Sequence, residues 1–166
     1  MKLIVSCFKK VTFWIKLLVS ALVLLMVGCV TPQSYDYSAL EASAPRSILV
    51  IPPLNQSFEV QASYIFLSTI SRPLAEKGYY VFPVSVIDNF MKANGLPTPE
   101  EMNQVPLEKL DEIIGADAVL YTTIDDWGRQ YQLVSSVVTV SANMRLVDGK
   151  SGQLLWSARA FAQESS

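Results

Sequence analysis

Arg46-Ser47-Ile48-Leu49-Val50-Ile51-Pro52-Pro53 is the segment from which the rest of the chain can be read. Four consecutive large apolar residues without polar alternation describe a strand buried on both faces, the kind found inside parallel sheets. Two prolines then stop the ladder, because proline has no N–H to donate. A parallel neighbour requires a crossover, and the downstream sequence supplies one. Beyond a loop at residues 54–58 that holds Asn55-Gln56-Ser57, the apolar residues Val60, Tyr64, Leu67, Ile70 and Leu74 recur at helical spacing. The helix stops at Gly78, which suits the left-handed cap, and Pro73 predicts a kink or a restart before it. Tyr79-Tyr80-Val81-Phe82-Pro83 reads as a second strand, since aromatic and β-branched residues fit a pleated surface.

Residues 84–93 read as a helix closed by Asn94-Gly95, and residues 97–101 as a turn with a short helix. Residues 106–115 form another helix, with Pro106 in its first turn and Gly115 after its last. Residues 118–124 are a third buried strand. Strands alternating with helices imply parallel pairings covered by those helices.

The pattern then changes. Val134, Ser136, Val138, Val140, Ala142, Met144 and Leu146 alternate with Ser135, Val137, Thr139, Ser141, Asn143 and Arg145, the period of a half-buried antiparallel strand. Asp148-Gly149-Lys150-Ser151-Gly152 makes a turn, and residues 153–161 return with Leu154, Trp156, Ala158 and Ala160 on one face. The expected fold is an α/β (α+β) domain over residues 45–166: a mixed parallel and antiparallel sheet with helices packed mainly on one face.

The amino end is a separate object. Residues 1–16 carry Lys2, Lys9, Lys10 and Lys16, and residues 17–28 (LLVSALVLLMVG) are an uncharged apolar run. These are the n- and h-regions of an export signal, and the run is shorter than the roughly 20 residues that span a bilayer. A signal anchor beginning at Val11 and tolerating Lys16 is the alternative. Met26-Val27-Gly28-Cys29 resembles a bacterial lipobox, in which a small residue admits the peptidase and the cysteine thiol takes the diacylglycerol. Residues 1–28 are therefore expected to leave as a lipoprotein signal peptide, with Cys29 lipidated. Cys7 leaves with the signal, so a chain starting at Cys29 has no second cysteine for a disulfide. Val30 after the cysteine, where Asp would retain such proteins, points to the outer membrane. Residues 29–44 read as a flexible tether; fifteen such residues span about 20 Å, which keeps the domain near the bilayer.

Composition narrows the chemistry. The 166 residues contain no histidine, which removes the commonest general base and nucleophile partner and most zinc sites. Past Gly28 nine Lys and Arg face fifteen Asp and Glu, which opposes a phosphate-neutralising nucleic-acid surface. Gly149-Lys150-Ser151 is no phosphate loop: Met144 stands where that motif needs glycine, and a strand follows instead of a helix. Asp125-Asp126 lie next to each other on a strand, where neighbours point to opposite sides. Glu100-Glu101 and Asp111-Glu112 read as solvated helix charges. No catalytic residue, cofactor or metal is expected.

Asn55, Gln56 and Ser57 stand where a buried strand opens toward a helix, the place where ligands of parallel sheets tend to lie. Trp127, with Tyr121 and Tyr131 nearby, either fills the core and caps the sheet or marks a partner surface.

Three blocks carry a resemblance: Pro45-Arg46-Ser47-Ile48-Leu49-Val50-Ile51-Pro52-Pro53-Leu54-Asn55-Gln56-Ser57, Arg72-Pro73-Leu74-Ala75-Glu76-Lys77-Gly78-Tyr79-Tyr80-Val81-Phe82-Pro83-Val84 and Gly115-Ala116-Asp117-Ala118-Val119-Leu120-Tyr121. With the hairpin running from Leu146-Val147-Asp148 to Leu155-Trp156, they resemble a family of Gram-negative lipoproteins of unassigned function that includes a meningococcal surface-antigen candidate. The resemblance implies a fold similar to the amino-terminal domain of TolB and to the CsgG-type secretion lipoproteins. It implies a non-enzymatic accessory or assembly role in envelope transport or secretion, with a membrane anchor and an envelope partner or homo-oligomer. A small-ligand or glycan-binding module is the alternative. Members of the family continue past the last hairpin with a glycine-rich stretch and a helix, whereas this chain stops at Gln163-Glu164-Ser165-Ser166.

Overall fold

A computed structural model describes residues 35–131 and 136–165. The buried run forms β1 (Ser47–Val50), which pairs in parallel with β3 (Tyr80–Val81) on one side and β4 (Ala118–Tyr131) on the other. Past Pro52-Pro53 the chain rejoins the ladder as β2 (Leu54–Asn55), with Leu54 opposite Thr123 and Asn55 opposite Ile124. β1 and β2 thus act as one strand interrupted where proline cannot donate. β4 pairs antiparallel with β5 (Ser136–Asp148), and β5 with β6 (Leu154–Ser165). The sheet order is β3-β1-β4-β5-β6, with β2 beside β4, the mixed sheet expected from the sequence.

The helices divide between the two faces instead of gathering on one. Five helices are described: α1 (Ser38–Ser43), α2 (Ala62–Glu76), α3 (Val84–Ala93), α4 (Pro99–Asn103) and α5 (Leu107–Ile113). On one face Leu49, Ile51, Val119, Tyr121 and Val147 pack against Ile87, Met91, Met102 and Leu110 of α3, α4 and α5. On the other, Ile48, Val50, Ala118, Leu120 and Leu146 meet Leu67, Ile70 and Leu74 of α2, with Leu40 of α1 at the margin. The reason lies in β1 itself. A strand apolar on both faces needs cover on both, because either face left bare would expose contiguous apolar surface.

Residues read as tether include α1. It has six residues and one half-buried leucine, too little periodicity to mark a helix, and alone it would not persist. Tertiary contacts hold it: Leu40 packs near Trp156, and the Ser43 hydroxyl donates to Asp148 Oδ2 at 3.0 Å. Ala44 then ends the helix in the left-handed region at φ 43°, its N–H bonded to Leu40 O.

Helix α2 runs through Pro73 without restarting; Ile70 and Leu74, packed on the sheet to either side of it, keep the last turn in place. Its buried residues are Ala62, Phe66 and Leu67, while Val60 and Tyr64, expected on the inner face, are 82% and 62% exposed. The helix starts at Ala62, after Val60, and it turns Ala62, Phe66, Leu67, Ile70 and Leu74 inward, which leaves Tyr64 on its outer side. α4 is set by a capping box, in which the Thr98 hydroxyl accepts from the Glu101 N–H and the Glu101 carboxylate accepts from the Thr98 N–H.

Two β-bulges alter which residues face where. One lies between Ile124 and Asp126 on β4, the other opposite Leu146 and Val147 on β6. The second leaves Leu155 unpaired, so Leu155 turns into the core at 2% exposure and Leu154, expected inside, is 51% exposed. The first overturns the expectation that Asp125 and Asp126 point apart. Asp125 accepts from the Asn143 amide and Asp126 stands opposite Ser141, which puts both on the face of the sheet that carries Asn143.

Candidate functional site

The loop leaving β2 is built on Asn55. Its Oδ1 accepts from the Ser57 N–H at 3.1 Å and from the Ser57 hydroxyl at 2.7 Å, while its Nδ2 donates to Glu59 O at 2.8 Å. The Gln56 N–H donates to Ile124 O at 2.8 Å and ties the loop back to β4. Asn55 and Ser57 therefore spend their polar groups on shaping the loop, and Gln56 projects from it exposed. Phe58, next in the chain, is fully exposed.

Asn55 and Ser57 also line a pocket of about 320 Å³ with Ser63 and Tyr64 of α2 and Asp88 and Lys92 of α3. Lys92 Nζ sits 2.7 Å from Asp88 Oδ2 and 5.7 Å from the centre of the Tyr64 ring. The Asp88 hydrogen bond holds the Lys92 ammonium above its ordinary pKa, against the opposing effect of burial. The lysine keeps its proton and serves as a fixed cation rather than a nucleophile. Tyr64 was not legible as a neighbour of the Asp88–Lys92 pair, because only the packing of α2 beside α3 brings the three together.

Trp127 lies elsewhere. It is half-buried against Ala62, Phe66 and Ile124, where it covers the start of α2. Tyr121 is buried in the opposite cluster beneath the Arg145 guanidinium, 4.5 Å from its ring centre. The structure thus brings Asn55 and Ser57 together and separates them from Trp127. Cys29 lies outside the described residues, as does the side chain of Tyr131. Among the described residues no group of three His, Cys, Asp or Glu could hold a metal ion, and no helix is long and apolar enough to cross a membrane.

β6 ends the sheet order and pairs only with β5 among the described strands. Its outer backbone groups form the longest open edge in the described sheet. The fold is similar to that of PelC from Paraburkholderia phytofirmans, solved as a dodecamer. The two share 16% identity over 72% of this chain and 71% of that one, with a TM-score of 0.50, a likeness of fold alone. More specifically, the family model described as "Putative lipoprotein GNA1162-like" matches residues 35–166, and the chain belongs to that family. Over 148 residues it is 44% identical to "Putative lipoprotein NMB1124/NMB1162" of Neisseria meningitidis serogroup B, covering 88% of this chain and 69% of that protein. The crystal structure of lipoprotein GNA1162 from Neisseria meningitidis superposes with a TM-score of 0.71 at 47% identity, over 74% of this chain and 85% of that one.

Proposed function

We propose that this chain is an envelope lipoprotein, acylated at Cys29 after removal of residues 1–28, and held at the outer membrane with its domain in the periplasm. There it acts as a non-enzymatic accessory or assembly subunit of an envelope transport or secretion complex, in keeping with the likeness to TolB and CsgG-type domains implied by its sequence blocks. The observation that carries this reading is β6, a twelve-residue strand paired on one side only among the described residues. An open edge of that length offers a row of backbone donors and acceptors to a strand from a partner or from a second copy. The dodecameric state of PelC, a protein of similar fold, supports this reading. Gln56 and Phe58 on the loop after β2 supply a second contact surface, and Asn55 and Ser57 hold that loop in shape.

Intact mass and membrane fractionation of the wild type beside Cys29→Ser test the anchor, and a photo-crosslinking side chain in place of Ala160 on β6 tests the edge. An acyl-sized mass difference, release of Cys29→Ser from the outer membrane and a discrete crosslinked product are expected. Unchanged mass and location for Cys29→Ser removes the anchor. Absence of any crosslinked product from position 160 in intact envelopes removes the assembly role.

A further inference from the structure

The face of β4, β5 and β6 that carries Tyr121 extends beyond the cover of α4, and it holds a concavity of about 730 Å³ that the reading above does not use. Register fixes its floor in two rows, Tyr121, Arg145 and Ser157, then Thr123, Asn143 and Arg159, and a third row, Asp126, Ser141 and Phe161, continues the same face beyond the concavity. Glu100, Asn103 and Gln104 form one rim. The two arginines sit diagonally on neighbouring strands, near enough for both to reach one ligand. The Arg145 guanidinium lies over the Tyr121 ring at 4.5 Å, and neither arginine forms an ion pair with a carboxylate among the described residues. Asp125 is taken up by the Asn143 amide. One row further, Phe161 is 64% exposed on the same face.

We infer that this open face is a binding site for an acidic saccharide, a sugar chain bearing carboxylates. Each part of such a ligand has a counterpart on the floor. The guanidinium planes take a carboxylate in paired hydrogen bonds, and the Phe161 ring offers a platform for the C–H face of a pyranose. The side chains of Thr123 and Asn143 on the floor and of Asn103 and Gln104 on the rim supply donors and acceptors for hydroxyls. The mixture of charges selects among anions. Asp125, Asp126 and Glu100 border the arginines, so a polyanion with a charge on every unit and few hydroxyls, such as an acidic peptide, meets repulsion that a polyhydroxylated acid offsets through hydrogen bonds. A peptide would also pair along the β6 edge, whereas the arginines rise from the sheet face. The inference is independent of the anchor and of the assembly role.

The test is titration of the full chain in detergent with oligogalacturonate, followed by calorimetry, beside a neutral galactose oligosaccharide and polyglutamate. Oligogalacturonate is expected to bind at least about tenfold more tightly than either control, with the preference lost on added salt. Arg159→Gln, at a side chain with no ion pair among the described residues, is expected to weaken binding about tenfold, the loss of one charge-assisted pair, with its circular dichroism and unfolding midpoint unchanged. Phe161→Ala weakens both sugars alike. No binding of oligogalacturonate, equal binding of the neutral sugar, polyglutamate binding as tightly, or an affinity untouched by both Arg159→Gln and Arg145→Gln each overturns the inference.

Discussion

Thr122, in β4, is 2% exposed, and its hydroxyl finds no hydrogen-bond partner among the described residues. A buried hydroxyl left unpaired costs about 1–3 kcal/mol, and valine has nearly its shape. Thr122→Val is therefore expected to raise stability by about 1 kcal/mol, read from urea unfolding at neutral pH. A loss of stability of that size would mean the hydroxyl has a partner and the account of this site is wrong. Nothing in the sequence marks Thr122 as different from Thr123, because the distinction is one of burial. Asn55 is the reverse case: its place in an Asn-Gln-Ser loop after two prolines was legible, since short polar side chains that bond their own backbone announce turns locally.

At the scale of elements, the bulge in β6 separates two neighbouring leucines that a strict period of two would assign the other way round. Leu155→Ala removes a core side chain and is expected to cost about 2–5 kcal/mol. Leu154→Ala, at a mostly exposed position, is expected to cost less than about 0.5 kcal/mol. Chemical denaturation of the two variants side by side decides it, and equal losses would contradict the register. Most elements were legible because their signals are local: Gly78, Gly95 and Gly115 each adopt positive φ after a helix, as expected of residues without a Cβ. The bulges and α1 were not. A bulge is settled by the partner strand, and α1 by Leu40 and Ser43 reaching β6 and Asp148.

For the molecule as a whole, two aspartates staple elements that are distant in sequence. Asp117 Oδ2 accepts from the N–H groups of Arg46 and Ser47, each at 2.9 Å, and from the Ser47 hydroxyl at 3.0 Å, which locks the start of β1 beside β4. Asp148 accepts from the Ser151 N–H and hydroxyl and from Ser43, joining α1 to the β5–β6 turn. The backbone donor of Arg46 chiefly holds Asp117 below the usual carboxylate range, and that of Ser151 does the same for Asp148. A carboxyl depressed in the folded state contributes stability that is present above its unfolded pKa of about 3.9 and lost as pH falls through the folded value. Unfolding free energy is thus expected to hold steady from about pH 7 to 5 and to drop below about pH 4. The Asp117→Asn, Asp148→Asn double variant should start lower and show a shallower acid drop. A drop as steep as that of the wild type would show that other groups govern acid unfolding.

The sequence by itself determined the order and kind of the main elements and the family, because hydrophobic period and turn chemistry are written in consecutive residues. Tertiary structure alone decided that helices cover both faces, that Asp125 and Asp126 share a face, that Lys92 meets Tyr64 within a pocket, and that Arg145 and Arg159 rise together from an open sheet. Each of those depends on strand register or on crossovers that bring distant segments side by side, and neither is encoded at any single stretch of the chain.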